Sequence, residues 1–151
     1  MPTIWTLVAD RTRARLFTSN RAAEPLVELR DFVNPDGREL AQELVTDRAS
    51  RMPGMVGRAR GALEARTSPE EHAAQVFARE ICAALERGLV DRACERIVLI
   101  AAPEFLGLLH GCASKRVRDA TAFELGKNLT SLAPEDVRAY LPVEVWHELA
   151  G

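Results

Sequence analysis

The chain has 151 residues, 47% hydrophobic and 28% charged, and its 20 basic and 22 acidic residues leave a formal net charge of −2. That length fits one domain with a core of its own, and the near balance of charge excludes a protein that binds nucleic acid indiscriminately over its whole surface. No run approaches the roughly eighteen apolar residues of a membrane span, and the opening MPTIWTLVAD has no basic segment ahead of a long apolar one, so a cytoplasmic protein without membrane contact is expected.

Thr3 to Ala9 is rich in β-formers and predicts a strand ending at Asp10. Arg11-Thr12 make the turn and Ala14 to Thr18 run back as a second strand. After a polar turn from Ser19 to Glu24, Pro25 to Val33 predicts a third strand, with Leu26, Glu28, Arg30 and Phe32 on one parity. Connections this short favour an antiparallel meander. Asn34-Pro35-Asp36-Gly37 then leads into a short helix from about Arg38 to Val45.

The stretch from about 46 to 68, TDRASRMPGMVGRARGALEARTS, has no sustained apolar period. It reads as a long loop, which in a small domain is usually functional or disordered. Gly54, Gly57 and Gly61 supply flexibility, and Arg48, Arg51, Arg58, Arg60 and Arg66 stand against Asp47 and Glu64, a local charge of +3. The chain from Thr67 onward carries nine basic and thirteen acidic residues, a sum of −4. A basic segment on an acidic body is a contact for an anionic partner, and arginine's planar fork of donors suits phosphate. The plain alternative is a solvated arginine-rich linker.

Ser68-Pro69-Glu70-Glu71 is a strong helix start, with Ser at the cap, Pro in the first position and Glu71 completing a capping box. Ala73, Val76, Phe77, Ile81, Ala84, Leu85 and Leu89 follow at three- and four-residue spacing as one apolar stripe. Arg96 to Ala102 is nearly all apolar and predicts a strand buried on both faces, in a central parallel position. Pro103-Glu104 start a helix that turns Phe105, Leu106, Leu108 and Leu109 inward. A short basic helix over Ser114 to Arg118 and a weaker strand near Phe123 to Leu125 come next. A last helix begins at Pro134-Glu135-Asp136 and is interrupted by Pro142, leaving Val143 to Leu149 as a separate helical turn. The order predicts an α/β fold: a mixed five-stranded sheet, an antiparallel three-strand meander plus parallel βα units, with helices packed on it in the ribonuclease-H-like manner and one domain over 1–151.

Little in the residues names a reaction. Cys82, Cys94 and Cys112 are odd in number and widely spaced, so they form neither a disulfide framework nor a zinc site, and Cys82 and Cys112 read as buried thiols. His72, His110 and His147 fall on three different predicted helices, His72 exposed and His110 partly buried. A two-metal hydrolase would need converging acids. Asp10 with Glu70 or Glu71 offers a partial set, but the central strand ends Ala101-Ala102-Pro103 with no acid before Glu104. Asp10 reads more simply as a turn residue, and Glu70 and Glu71 as acids at a helix N-terminus. Gly54-Met55-Val56-Gly57 matches the G-x-x-G of KH domains but lacks their flanking helix pair, and no Walker or dinucleotide-binding glycine pattern is present. No metal and no cofactor are expected. Arg13 and Arg15 share one parity of the second strand and read as a solvated face that extends the loop arginines into a phosphate-binding surface.

The segments WTLVADRTRARLF, FVNP, LVTDRASR, SPEEHAAQVFAREICAALE and RIVLIAAPEFLGLL together resemble the bacterial host attachment family, described as proteins required for attachment to host cells. That family in turn resembles the middle domain of archaeo-eukaryotic peptide-chain release factors, which carries a Gly-Gly-Gln loop to the ribosomal peptidyl-transferase centre. The resemblance implies a release-factor-like fold and a link to the ribosome. Between Thr46 and Ser68, however, there is no Gly-Gly pair and no glutamine, which removes the group that would assist peptide release. The expected function is a non-catalytic module docking on ribosomal RNA or tRNA through Arg48, Arg51, Arg58, Arg60, Arg13 and Arg15. The alternatives are a module that binds a protein partner or itself, and a metal-dependent hydrolase.

Overall fold

The computed structural model describes residues 2–34 and 68–147. The predicted helix at 38–45 and the glycine- and arginine-rich stretch up to Thr67 lie outside the described residues. Five strands, β1 (Ile4–Ala9), β2 (Arg13–Ser19), β3 (Val27–Val33), β4 (Arg96–Ala101) and β5 (Thr121–Leu125), form one open sheet in the order β3-β2-β1-β4-β5. The meander β1-β2-β3 is antiparallel, while β1 and β4, and β4 and β5, run parallel. The mixed five-stranded α/β sheet expected from the strand and helix order is therefore present. β4 is flanked by parallel neighbours on both sides, and five of its six residues are buried, as an unbroken apolar run requires.

Four helices follow: α1 (Pro69–Val90), α2 (Pro103–Cys112), α3 (Lys115–Ala120) and α4 (Pro134–Arg138), then a 3-10 turn over Val143–Trp146. Ser68 caps α1 by accepting the backbone N–H of Glu71 at 3.0 Å, and Ser114 caps α3 by accepting that of Val117 at 3.2 Å. α1, α2 and α3 cover one face of the sheet, where Leu7, Leu16, Phe32, Ile97 and Leu99 meet Phe77, Ile81, Leu85, Phe105 and Leu109. Each such side chain contributes about 1.5–3 kcal/mol on burial. The opposite face, with Ile4, Val8, Phe17, Val98 and Ile100, is covered by Leu129, Val137, Leu141, Val145 and Trp146 from the C-terminal segment. That segment is fastened by Arg96, whose guanidinium donates to the carbonyls of Val145 (2.8 Å) and His147, and by the Trp146 indole N–H on Ser19 Oγ at 3.0 Å.

Three expectations need correction. The third strand does not keep one parity. Leu16 pairs with Arg30 but Phe17 with Glu28, so Leu29 is an extra residue, a β-bulge. The bulge puts Leu26 in the core of one face and Phe32 in the core of the other. β5 carries a similar break, Ile97 pairing with Thr121 and Val98 with Phe123. Both edge strands are thus irregular, a known guard against edge-to-edge pairing. On α1 the buried stripe runs through Ala73, Ala74, Phe77, Ala78, Ile81, Cys82, Leu85 and Gly88, while Val76 is exposed. On α2, Phe105 and Leu109 are buried, Leu106 and Leu108 only partly so, and His110 is exposed rather than half-buried, paired with Glu124 at 2.7 Å.

Gly88 explains the rotated stripe. A Cβ there would lie 2.2 and 2.4 Å from carbons of the Trp5 ring, so only glycine lets the helix approach β1 this closely. Gly88→Ala gains roughly 1 kcal/mol of helix propensity but collides with a large ring, and a net loss of about 1–2 kcal/mol is expected. Urea unfolding reads the result, and an unchanged midpoint would mean that Trp5 moves aside freely. Arg92 presents the opposite case. It adopts φ 60° just after α1, where the Ala93 N–H returns to the Gly88 carbonyl at 2.8 Å. Glycine is the usual residue at such a helix end, so Arg92→Gly should stabilise by up to about 1 kcal/mol in the same assay.

Candidate functional site

Ligands of open α/β sheets gather beyond the carboxyl ends of the parallel strands. Here β1, β4 and β5 end together at a crevice of about 480 Å³, lined by Asp10, Arg11, Thr12, Ala102, Pro103, Glu104, Phe105 and Asn128. The antiparallel return of β2 makes Asp10, Arg11 and Thr12 a tight turn, closed by the Asp10 N–H on the Arg13 carbonyl at 2.8 Å.

Asp10 is the centre of this rim. Its Oδ1 accepts the backbone N–H groups of Thr12 (2.8 Å) and Arg13 (2.9 Å) and the Thr12 hydroxyl (3.0 Å). Its Oδ2 accepts the Asn128 amide at 3.0 Å. The Thr130 hydroxyl lies 3.2 Å from that same oxygen and 2.7 Å from Asn128 Oδ1, so its one proton serves mainly the nearer acceptor. Burial pulls the Asp10 pKa upward, but the hydrogen bonds from the Thr12 amide, Asn128, the Thr12 hydroxyl and the Arg13 amide together outweigh it and hold the group below the ordinary carboxylate range.

Arg11 is the second node. Its guanidinium reaches Glu71 in the first turn of α1 at 3.2 Å and Glu104 in the first turn of α2 at 3.0 Å. It thereby ties both helix N-termini to the β1–β2 turn. The Asn34 amide donates to the Arg11 carbonyl at 3.0 Å and to the Ala73 carbonyl at 3.4 Å, and the Asn34 N–H donates to the Thr12 carbonyl at 2.9 Å. The last residue described before 35–67 and the helix that follows that stretch therefore meet at this rim.

The partial acidic set weighed for a hydrolase does not assemble. The lone pairs of Asp10 are taken by the turn and by Asn128, and Glu71 is paired with Arg11. Among the described residues no three His, Cys, Asp or Glu side chains converge as a metal site. Arg15 is not on a solvated face: it is only 8% exposed, bonded to Glu28 at 2.9 Å and to the carbonyls of Thr130 and Leu132 at 3.1 and 2.6 Å. Arg13 is more open, but a bidentate pair with Asp31 (3.2 and 3.0 Å) holds it. Arg48, Arg51, Arg58, Arg60, Gly54, Gly57 and Gly61 lie outside the described residues.

Asn128 and Thr130 carry no weight in a reading of the sequence alone, and neither does the Arg11–Glu104 pair. The sequence signal was there in part, because Asn128-Leu129-Thr130 is a side-chain-capped turn, its Thr130 N–H donating to Asn128 Oδ1 at 3.1 Å.

Asp10 also makes the rim sensitive to acid. Because its folded pKa is lowered, the stability it contributes is complete above the unfolded value of about 3.9 and is lost as pH falls through the folded one. Asp10→Asn replaces an acceptor oxygen with a donor facing other donors, a cost of about 1–3 kcal/mol near neutral pH. The gap between variant and parent should narrow as pH drops below about 4. Parallel unfolding curves at pH 7 and pH 3 check both, and a pH-independent difference would contradict the assignment.

A family model described as "Protein required for attachment to host cells" matches residues 5–141 of the chain. No curated protein matches it. Among the described residues, no helix is long and apolar enough to cross a membrane.

Proposed function

The chain belongs to this attachment family, and from that premise we propose that it is a non-catalytic docking module that engages ribosomal RNA or tRNA through Arg48, Arg51, Arg58 and Arg60. The observation that carries the non-catalytic part is the saturation of Asp10: the acid at the end of β1 is occupied by its own turn and by Asn128. The observation that supports docking is positional. Asn34 and the first turn of α1 meet at the rim, so the two described ends that bracket the sequence of 47–66, with its charge of +3, lie at one edge of the sheet. Asp10 and Glu104 stand against Arg11 in the crevice lining, with Glu71 also on that arginine, a net negative charge, so this reading assigns the phosphate contacts to the intervening arginines rather than to the crevice. Arg13 and Arg15 serve as braces, held by Asp31 and Glu28. In this reading the likeness to release-factor middle domains concerns a shared way of presenting a segment to RNA, without the Gly-Gly-Gln chemistry, and attachment is reached indirectly, through translation or its regulation.

A second reading has one observation behind it. The edge strand β3 leaves Val27, Leu29 and Val33 about half exposed, an unusual amount of apolar surface for a strand, which favours a protein partner or a second copy.

Fluorescence anisotropy with labelled tRNA and a ribosomal RNA fragment separates the two. Four phosphate contacts predict that affinity falls by tens to about a hundredfold between 50 and 200 mM salt. Changing Arg48, Arg51, Arg58 and Arg60 to alanine should abolish most binding without moving the melting temperature. Salt-insensitive binding, or none, would reject the RNA reading. Retention of a protein that survives nuclease treatment and the arginine changes would favour the second.

A further inference from the structure

The interface between α1 and α2 holds a pair of thiols that neither the rim nor the docking segment uses. Cys82 lies on the buried stripe of α1, and Cys112 is the last residue of α2. Their Sγ atoms are 2.9 Å apart, and both sulfurs lie near the Leu109 carbonyl, at 3.6 and 3.7 Å. All three cysteines are free thiols, Cys82 and Cys94 buried and Cys112 only partly so. The pair is therefore graded in access, Cys112 half-buried and Cys82 buried.

We propose that Cys82 and Cys112 form a reversible oxidation site, closing to an intramolecular disulfide when hydrogen peroxide reaches Cys112. The Cys112 thiolate attacks the peroxide, the O–O bond breaks, and the sulfur becomes a sulfenic acid while hydroxide leaves and takes a proton as water. The Cys82 sulfur then attacks Cys112 Sγ, the S–O bond breaks, a second water leaves with the Cys82 proton, and the S–S bond forms. Two thiols and one peroxide thus give one disulfide and two waters, with two electrons passing from sulfur to oxygen. A disulfide needs about 2.05 Å between sulfurs, so the 2.9 Å pair has roughly 1 Å to close.

The order of events follows from burial. Desolvation raises the Cys82 thiol far above its ordinary range, with the neighbouring Cys112 adding to the shift, and burial pushes Cys94 to about 12. Neither is a ready first nucleophile, since the thiolate is the reactive form. Proximity compensates Cys82 once a sulfenic acid stands next to it, because a preset contact replaces a bimolecular encounter. Cys94 has no role in the step and serves as the internal control. The bond would cross-link the middle of α1 to the end of α2, whose N-termini Arg11 also joins. Oxidation would then pin the two helices at both ends of their shared interface.

The test uses the unmodified chain with dilute hydrogen peroxide, followed by alkylation, intact mass and tryptic mapping. Cleavage at Arg87, Arg92 and Arg96 separates the two cysteines onto different peptides. The expected result is a loss of about 2 Da, alkylatable thiols falling from three to one, and a Cys82–Cys112 peptide pair that dithiothreitol releases. Cys94→Ser should behave as the parent does. Cys82→Ser should halt at the sulfenic acid on Cys112, captured by dimedone. Oxidation of Cys94 ahead of the pair, disulfides only between chains, or sulfinic acid at Cys112 of the parent without the cross-linked peptide would each overturn the proposal.

Discussion

Asp10 stands where the β1–β2 turn and the segment after β5 come together, and its two oxygens accept hydrogen bonds from both. A partly buried carboxylate is tolerated only when its acceptor capacity is filled, and the turn amides fill half of it before any distant group arrives. Asn128 then has a strong reason to be where it is, since a charge-assisted bond is worth about twice a neutral one. From that single point the geometry propagates. The turn fixes Arg11, Arg11 gathers Glu71 and Glu104 from two helices, and Asn34 closes against the Arg11 carbonyl. The second anchor is Arg15, which reaches the carbonyls of Thr130 and Leu132 and so fastens the same loop after β5 from the β2 side.

This arrangement separates two jobs that are often combined in α/β proteins. The strand ends that would hold a reacting group in an enzyme are here filled with the protein's own donors and ion pairs. Asp10 is occupied by its own turn and by Asn128, and Arg11 by Glu71 and Glu104. That rim stands on a sheet buried on both faces. The chain belongs to the attachment family, and the docking proposed for it is assigned to arginines of the intervening sequence rather than to the rim.

Much of the fold was legible in the residues because its signals are local. Ser68-Pro69-Glu70-Glu71 states a helix start in four residues, and the run from Arg96 to Ala101 states a doubly buried strand in six. The features that escaped are those decided across the chain. The bulge at Leu29 exists because Leu26 and Phe32 belong to different cores, which no alternation rule can show. The stripe of α1 turns through Gly88 rather than Val76 because the Trp5 ring occupies the space. The site was less legible still. Asp10 was visible as the end of a strand, but its meaning lay 118 residues away at Asn128, and a candidate metal ligand became a structural hub only once that partner was known. Arg15 shows the same limit, since an arginine on a strand reads as surface until a loop folds over it.

The meeting of Asn34 with Ala73 has a consequence for how such a protein can change over time. Asn34 and Ala73 hold the two ends that bracket residues 35–67 close together, and closing a longer segment between fixed ends costs little more than closing a shorter one, about 0.6 kcal/mol for each doubling. A change of length between those two ends therefore adds little closure cost of its own. A lineage could insert or remove residues there while Arg11, Asn34 and Ala73 keep the two ends together.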